Sequence, residues 1–312
     1  MSNKKKFIIT IDTEGDNLWS WHNGDPITTN NSLFLQRFQN LCDEYGFKTT
    51  WLTNYEMIQD DRYLEFARKL IDSKTGEIGM HLHAWNCPPY FDLPVEQNGQ
   101  PYLIEYPLDV MEEKIAFMTN LIEQRIGSRP IVHRAGRWAM NQDYYNLLEK
   151  YGYQVDCSVI PHVNGKKSIG QTKGFLGPDY TKYSEQPYNI GKILEVPMTI
   201  RKIHNYFLPE RMTLKKSVGS FAKVVLGSNL WFRPNGYNLK KMMFLSDLIS
   251  SSDQDDYIMF MIHSSELMPG GSPTFKDEAS IENLYHGIEV LFEHCAKCFE
   301  GYTLSEYAKL RK

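Results

Sequence analysis

Residues 6–12, KFIITID, decide how the rest of the chain is read. The run from Phe7 to Ile11 is apolar or β-branched throughout and stops at an aspartate. A short continuous run of this kind reads as a strand covered on both faces. Its end, Asp12-Thr13-Glu14, puts two carboxylates at the carboxyl terminus of that strand.

Working outward, the same unit recurs. Strand patterns are expected at 47–53, in EIGMHLHAW (77–85), at 131–136, at 153–160, at 193–200 and at 257–264. Helical spacing falls between them, at 33–45, 62–72, 107–127, 141–152 and 280–298. Gly46, Gly127 and Gly152 supply stops, and Asn141 an N-cap. Strand then helix, repeated, implies a parallel sheet. About seven units favour a barrel over an open sheet. The stretch 161–245 breaks the rhythm. It is rich in Gly, Lys, Asn and Pro and holds the apolar FAKVVLGSNLWF, and it reads as an insertion over the barrel mouth within one domain spanning 1–312.

Composition limits the function classes. The chain has 312 residues, 42% hydrophobic and 13% aromatic, enough for one barrel-sized core. A net charge of −4, with basic residues clustered only at Lys4-Lys5-Lys6 and in pairs near 215 and 240, argues against nucleic acid as a partner. No run reaches the roughly 20 residues of a membrane span or the roughly 7–15 of a secretory core. The five cysteines are irregularly spaced, as in a reducing compartment, and Cys295-x-x-Cys298 reads as ordinary helix. A cytoplasmic protein is expected; its oligomeric state is left open.

Chemistry in parallel α/β folds collects at the carboxyl ends of strands. Asp12 and Glu14, His81 and His83, His133 and Arg134, Asp156, and His263 all stand there. Residues i and i+2 of a strand share a side. Two carboxylates and two imidazoles can therefore converge and suit Zn²⁺, with Co²⁺, Ni²⁺ or Fe²⁺ as alternatives. The competing view makes the histidines loop residues bonded to carbonyls. Arg134 is expected to hold a carboxylate ionised, or to form a structural ion pair. Asp156 is expected to orient and charge-stabilise His263, leaving His263 as acid and a metal-side carboxylate as base. Trp19, Trp85 and Trp138 are candidates to stack on sugar rings, with Trp21 and Trp231 behind them. Glu266, in the loop after His263, is a candidate substrate contact, while Glu195 has an equally good structural reading.

Five segments, TIDTEGD (10–16), EIGMHLHAW (77–85), HRAGRW (133–138), VDCSVI (155–160) and FMIHSSE (260–266), together resemble the ordered motifs of the polysaccharide deacetylases, the carbohydrate esterase family with the nodulation-deacetylase homology domain. The resemblance runs over most of the chain. It implies a distorted (β/α)7 barrel and metal-dependent removal of an N-acetyl group from an amino sugar or glycan precursor. By that resemblance Asp12 is the base, Glu14 and His81 metal ligands, Arg134 the residue that tunes the base, Asp156 the residue that tunes the acid, and His263 the acid. The sequence departs from the pattern in three places. The family's second histidine stands four residues after the first, where this chain has Trp85, so either His83 replaces it or the metal site is altered or absent. Asp12 and Glu14, one residue apart, can exchange roles. Ala135-Gly136 stands where a proline is usual. Hydrolysis of another amide or a ureide, and metal-free sugar binding, are the other functions considered.

Overall fold

The computed structural model describes residues 4–22, 24–203 and 228–311. The expected insertion falls partly outside them, including most of FAKVVLGSNLWF.

The opening stretch forms β1 (Lys5–Thr13), and its next neighbours are β2 (Thr49–Thr53), β3 (Gly76–Leu82), β4 (Val132–Ala135) and β5 (Val155–Asp156). A hairpin, β6 (Tyr188–Ile190) and β7 (Ile193–Glu195), follows, then a second hairpin of β8 (Ile200–Ile203) and β9 (Ser228–Trp231). Strand β10 (Tyr257–His263) returns to β1, and β11 (Phe299–Tyr302) pairs the first half of β1 on the edge that β2 occupies further along. The sheet runs β10-β1-β2-β3-β4-β5-β7-β6, and every neighbour is parallel except β6. This is the distorted (β/α) barrel expected from the sequence. Among the described residues no ladder joins β7 to β10. That seam is bridged instead by Tyr257 Oη donating to Pro197 O at 2.5 Å and by Met259 N donating to Thr199 Oγ1 at 2.8 Å.

Helices α1 (Leu35–Glu44), α2 (Asp61–Ser73), α3 (Leu108–Ile126), α4 (Gln142–Lys150), α5 (Leu239–Ser250) and α6 (Glu278–Cys295) alternate with the strands, and a short α7 (Leu304–Lys309) ends the described chain. Asp60 caps α2 by accepting from Arg62 N and Tyr63 N. Gly127 closes α3 at φ 89°, a left-handed angle that glycine adopts without strain. Among the described residues, no helix is long and apolar enough to cross a membrane.

The strands sort their side chains by parity into two cores. Phe7, Ile9 and Ile11 pack outward with Trp51, Met80, Ile258, Phe260 and the helices. Ile8, Leu52, Val132, Val155, Met259 and Met261 pack inward, and Leu304 and Tyr307 of α7 join them. Asp12, two residues on from the inward Thr10, puts a charge at the carboxyl end of that inner series, and Arg134 is two on from inward Val132. The parity of each strand therefore decides which polar residues meet in the lumen.

Candidate active site

Residues Asp12 and His263 are register partners on β1 and β10, and His81 and Arg134 are partners on β3 and β4. All four are inward positions, so the lumen receives a carboxylate, a guanidinium and two imidazoles. Arg134, fully buried, donates from Nη1 to Asp12 Oδ1 at 2.5 Å, from Nε to Cys157 O at 3.2 Å and from Nη2 to Thr10 Oγ1 at 2.9 Å. Burial pushes the Asp12 carboxyl up, but Arg134, with His81 and His263, outweighs it and holds the group well below the carboxylate range. Asp12 is therefore ionised at neutral pH. Its Oδ2 faces His263 Nε2 at 3.8 Å.

Glu14 lies just past β1 and turns its carboxylate to the two histidines. Its Oε2 is 3.6 Å from His81 Nε2 and 3.3 Å from His83 Nε2. Three ligand atoms, one from each residue, lie within 4.8 Å of one another, and all three residues are buried. A tetrahedral ion with bonds of about 2.0–2.2 Å needs donor atoms roughly 3.3 Å apart. The donor set thus fits a divalent metal. His81 accepts that orientation because Nδ1 is engaged by Arg134 O at 3.0 Å, leaving Nε2 toward Glu14. Burial, reinforced by His81, pushes His83 down to about 3, so its imidazole is neutral, as a ligand must be. Burial likewise opposes charge on His81, but Asp12 and Glu14 outweigh it and raise that group.

His263 is held from behind by a pair of residues. Glu266 Oε2 lies 3.1 Å from its Nδ1, and Arg233 Nη2 lies 2.9 Å from the same nitrogen while also donating to Glu266 Oε1 at 3.1 Å. Glu266, expected as a substrate contact, is 3% exposed and turns its carboxylate to His263. Burial raises Glu266, but the bond to His263 and the charge of Arg233 prevail and lower it to about 2.

The expectation for Asp156 is corrected as well. Asp156 follows inward Val155 and so points to the outer face of the sheet. There it pairs in register with His133 on one side and Glu195 on the other. His133 Nδ1 is 2.6 Å from Asp156 Oδ1, and His133 Nε2 is 2.8 Å from Tyr144 Oη. Ser158 donates to Asp156 from both N and Oγ, and its Oγ accepts from Ala135 N at 2.8 Å. Glu195, accepting from Val159 N and Tyr145 Oη, is raised by burial and by the Asp156 charge. This buried row braces β4, β5 and β7 and does not reach His263. Strand patterns alone gave Asp156 no parity relative to the lumen. Arg233 was missed because its turn, RPNG, carries no local sign of the distant histidine it meets.

Above these groups lies a cleft of about 480 Å³, lined by Asp12, Glu14, His81, His83, His263, Arg137 and the three expected tryptophans. Trp19 is 45% exposed, meets the His263 ring edge-on at 5.1 Å and donates from Nε1 to Ser265 Oγ. Trp138 covers the Arg134 guanidinium at 4.9 Å. Trp85 stacks on His83 with 4.4 Å between ring centroids. Arg137 and Trp138 both have positive φ, 56° and 65°. Such backbone strain in non-glycine residues persists only where the surroundings enforce it. Here Arg137 donates to Gln100 O, Ser168 Oγ and Ile169 O and stacks on Tyr102, fastening two loops into the cleft wall.

No family model matches the chain, and no curated protein matches it. Solved structures do. A protein of Mycobacterium smegmatis assigned as a polysaccharide deacetylase superposes with a TM-score of 0.55 at 16% identity, covering 99% of this chain and 91% of its own. A 4-alpha-glucanotransferase from Thermococcus litoralis gives a TM-score of 0.55 at 14% identity, covering 98% of this chain and 40% of its own. Two differently named activities on one backbone leave the chemistry to the side chains. The chain has the fold of the polysaccharide deacetylases.

Proposed function

We propose that this chain is a metal-dependent hydrolase that removes an N-acetyl group from an amino sugar. The observation that carries the proposal is the convergence of Glu14, His81 and His83 within ligand distance, beside an ionised Asp12 and a histidine held by Glu266. Binding a sugar without reacting requires no such acid–base set.

Glu14, His81 and His83 would hold the divalent ion; zinc suits one carboxylate and two imidazoles, and cobalt, nickel or ferrous iron could take the same donors. When bound, the ion would polarise the amide carbonyl and make water a stronger acid. Asp12, kept ionised by Arg134, accepts the proton of the attacking water as its oxygen bonds to the acetyl carbon. His263 stands across from Asp12 and gives a proton to the departing nitrogen as the C–N bond breaks. Acetate and a free amine result. Glu266 and Arg233 fix the His263 ring from its far nitrogen. Trp19, exposed at the rim, offers a face to the sugar.

The test is acetate release from a panel of N-acetylated sugars, by protein loaded with zinc or cobalt and by protein treated with chelator. Metal-dependent acetate release is expected. Protein that binds no divalent metal, or metal-loaded protein that releases no acetate from any N-acetyl sugar, overturns the proposal.

A further inference from the structure

His83 lies one residue beyond β3, where ladder register no longer fixes side-chain direction. Its ring is nonetheless aimed, with Nε2 at Glu14. His81 is aimed by a hydrogen bond at Nδ1, the common way to orient a ligand histidine. His83 has none: its Nδ1 is buried with no hydrogen-bond partner. Packing must do what a hydrogen bond does for its neighbour.

Two contacts supply that packing. Trp85 lies nearly parallel to the imidazole, at 4.4 Å and 22°. The backbone of Gly136 meets the ring edge so closely that a Cβ there would stand 2.4 Å from His83 Cδ2 and 2.4 Å from Leu82 O. Gly136 is not among the glycines with positive φ, so its backbone angles suit alanine. Glycine is required there by the space that the His83 ring and the Leu82 carbonyl together fill. Gly136 is in turn held in place, because Ala135 N donates to Ser158 Oγ, which Asp156 anchors.

We propose that Gly136 and Trp85 form a steric seat that fixes His83 as the second imidazole of the metal grip, in place of an orienting hydrogen bond. Gly136 and Trp85 are positioning residues, acting through His83. The inference rests on the metal-dependent reading above and deepens it, since it explains how a histidine outside the ladder can serve as a ligand. It also gives a physical role to Trp85 and to Gly136, two positions where the sequence departs from the family pattern.

Cobalt binding tests it without reference to turnover. Full-length protein, freed of metal, is titrated with Co²⁺, following visible absorption and affinity by competition with a chelating dye. Wild type is expected to bind one ion with a ligand-field spectrum that His83→Ala alters. Gly136→Ala is expected to lose roughly 10–100-fold in affinity, the range for losing a group that orients a ligand, and its spectrum should shift toward that of His83→Ala. Trp85→Ala should move the same way, and Trp85→Phe, which keeps an aromatic face, should recover much of the loss. Circular dichroism and thermal melts establish that each variant is folded. A folded Gly136→Ala with wild-type affinity and spectrum overturns the inference while leaving the hydrolase reading intact. Should that variant fail to fold, Trp85→Ala decides in the same way. Wild type that binds cobalt as His83→Ala does removes His83 from the grip and overturns the inference, and wild type that binds no cobalt overturns the metal reading itself.

Discussion

At the scale of single residues, two acids near the site have opposite roles, set by which side of the sheet they face. Glu266 touches His263 and Asp156 touches His133. Glu266→Gln removes a charge-assisted hydrogen bond, worth about 1.5–3 kcal/mol. It should lower kcat by roughly 10-fold or more, each 1.4 kcal/mol being tenfold, with a small change in unfolding midpoint. Asp156→Asn should show the reverse: a loss of about 1–3 kcal/mol in stability by urea titration, with kcat at saturating metal changed only slightly. Equal losses of kcat in the two variants would count against this division. His263→Ala should cut kcat by roughly 10²–10⁴-fold, the usual size of an acid–base contribution. Full rate in that variant would remove His263 from the acid role. The sequence named Asp12, Glu14, His81, His83, Arg134 and His263 from their places at strand ends. It misplaced Asp156 because β5 is only two residues long and offers too few positions to show its alternation.

At the scale of elements, α1 to α4 and α6 were legible to within a few residues because periodicity and end signals agree, whereas α5, which begins inside the expected insertion, and α7 were not named. Residues 107–127, bounded by Pro107 and Gly127, became α3, and Asn141 caps α4 through Tyr144 N as expected. The start of α2 carries a sharper test. Asp60 accepts from two backbone amides, from Thr29 Oγ1 at 2.6 Å and from Arg62. Burial raises its carboxyl, but these bonds prevail and lower it to about 2 from an ordinary 3.8. A depressed folded value means its stabilisation is present in full above the unfolded value and is lost as pH falls through the folded one. Asp60→Ala should cost about 1 kcal/mol at neutral pH, a typical N-cap loss. The gap to wild type should narrow between about pH 4 and pH 2. A gap that is constant with pH, measured by urea unfolding, would mean the carboxylate charge contributes nothing. The short hairpins β6–β7 and β8–β9 were less legible, since their pairing depends on partners remote in sequence.

At the scale of the whole molecule, the parallel barrel followed from repetition of one unit, but its closure did not. The lower end of the lumen is sealed by α7, whose Leu304 and Tyr307 join Ile8, Tyr257 and Met259 in the inner core. Nothing in the six residues of α7 marks them as a plug, because a helix of that length has too little periodicity to read. Leu304→Ala should cost about 2–5 kcal/mol, the range for a buried leucine, as measured by denaturant titration. A cost under 1 kcal/mol would show that the lower end tolerates a void. At the upper end, three clefts adjoin. The central one shares Trp85 and Gln100 with a cleft of about 520 Å³ and Trp19 and Arg233 with one of about 560 Å³.

The ion pair between Arg134 and Asp12 spans the lumen from β4 to β1, with Arg134 fully buried and Asp12 open only toward the cleft. Such a link makes either residue alone nearly irreplaceable for folding. Removing one charge strands the other in an oily interior, at about 3–5 kcal/mol. Substituting both with apolar residues of similar volume should give a protein that melts above either single variant and hydrolyses nothing. The pair therefore acts as one unit in folding: the barrel accepts both charges or neither, and a single loss leaves a chain short of about 3–5 kcal/mol.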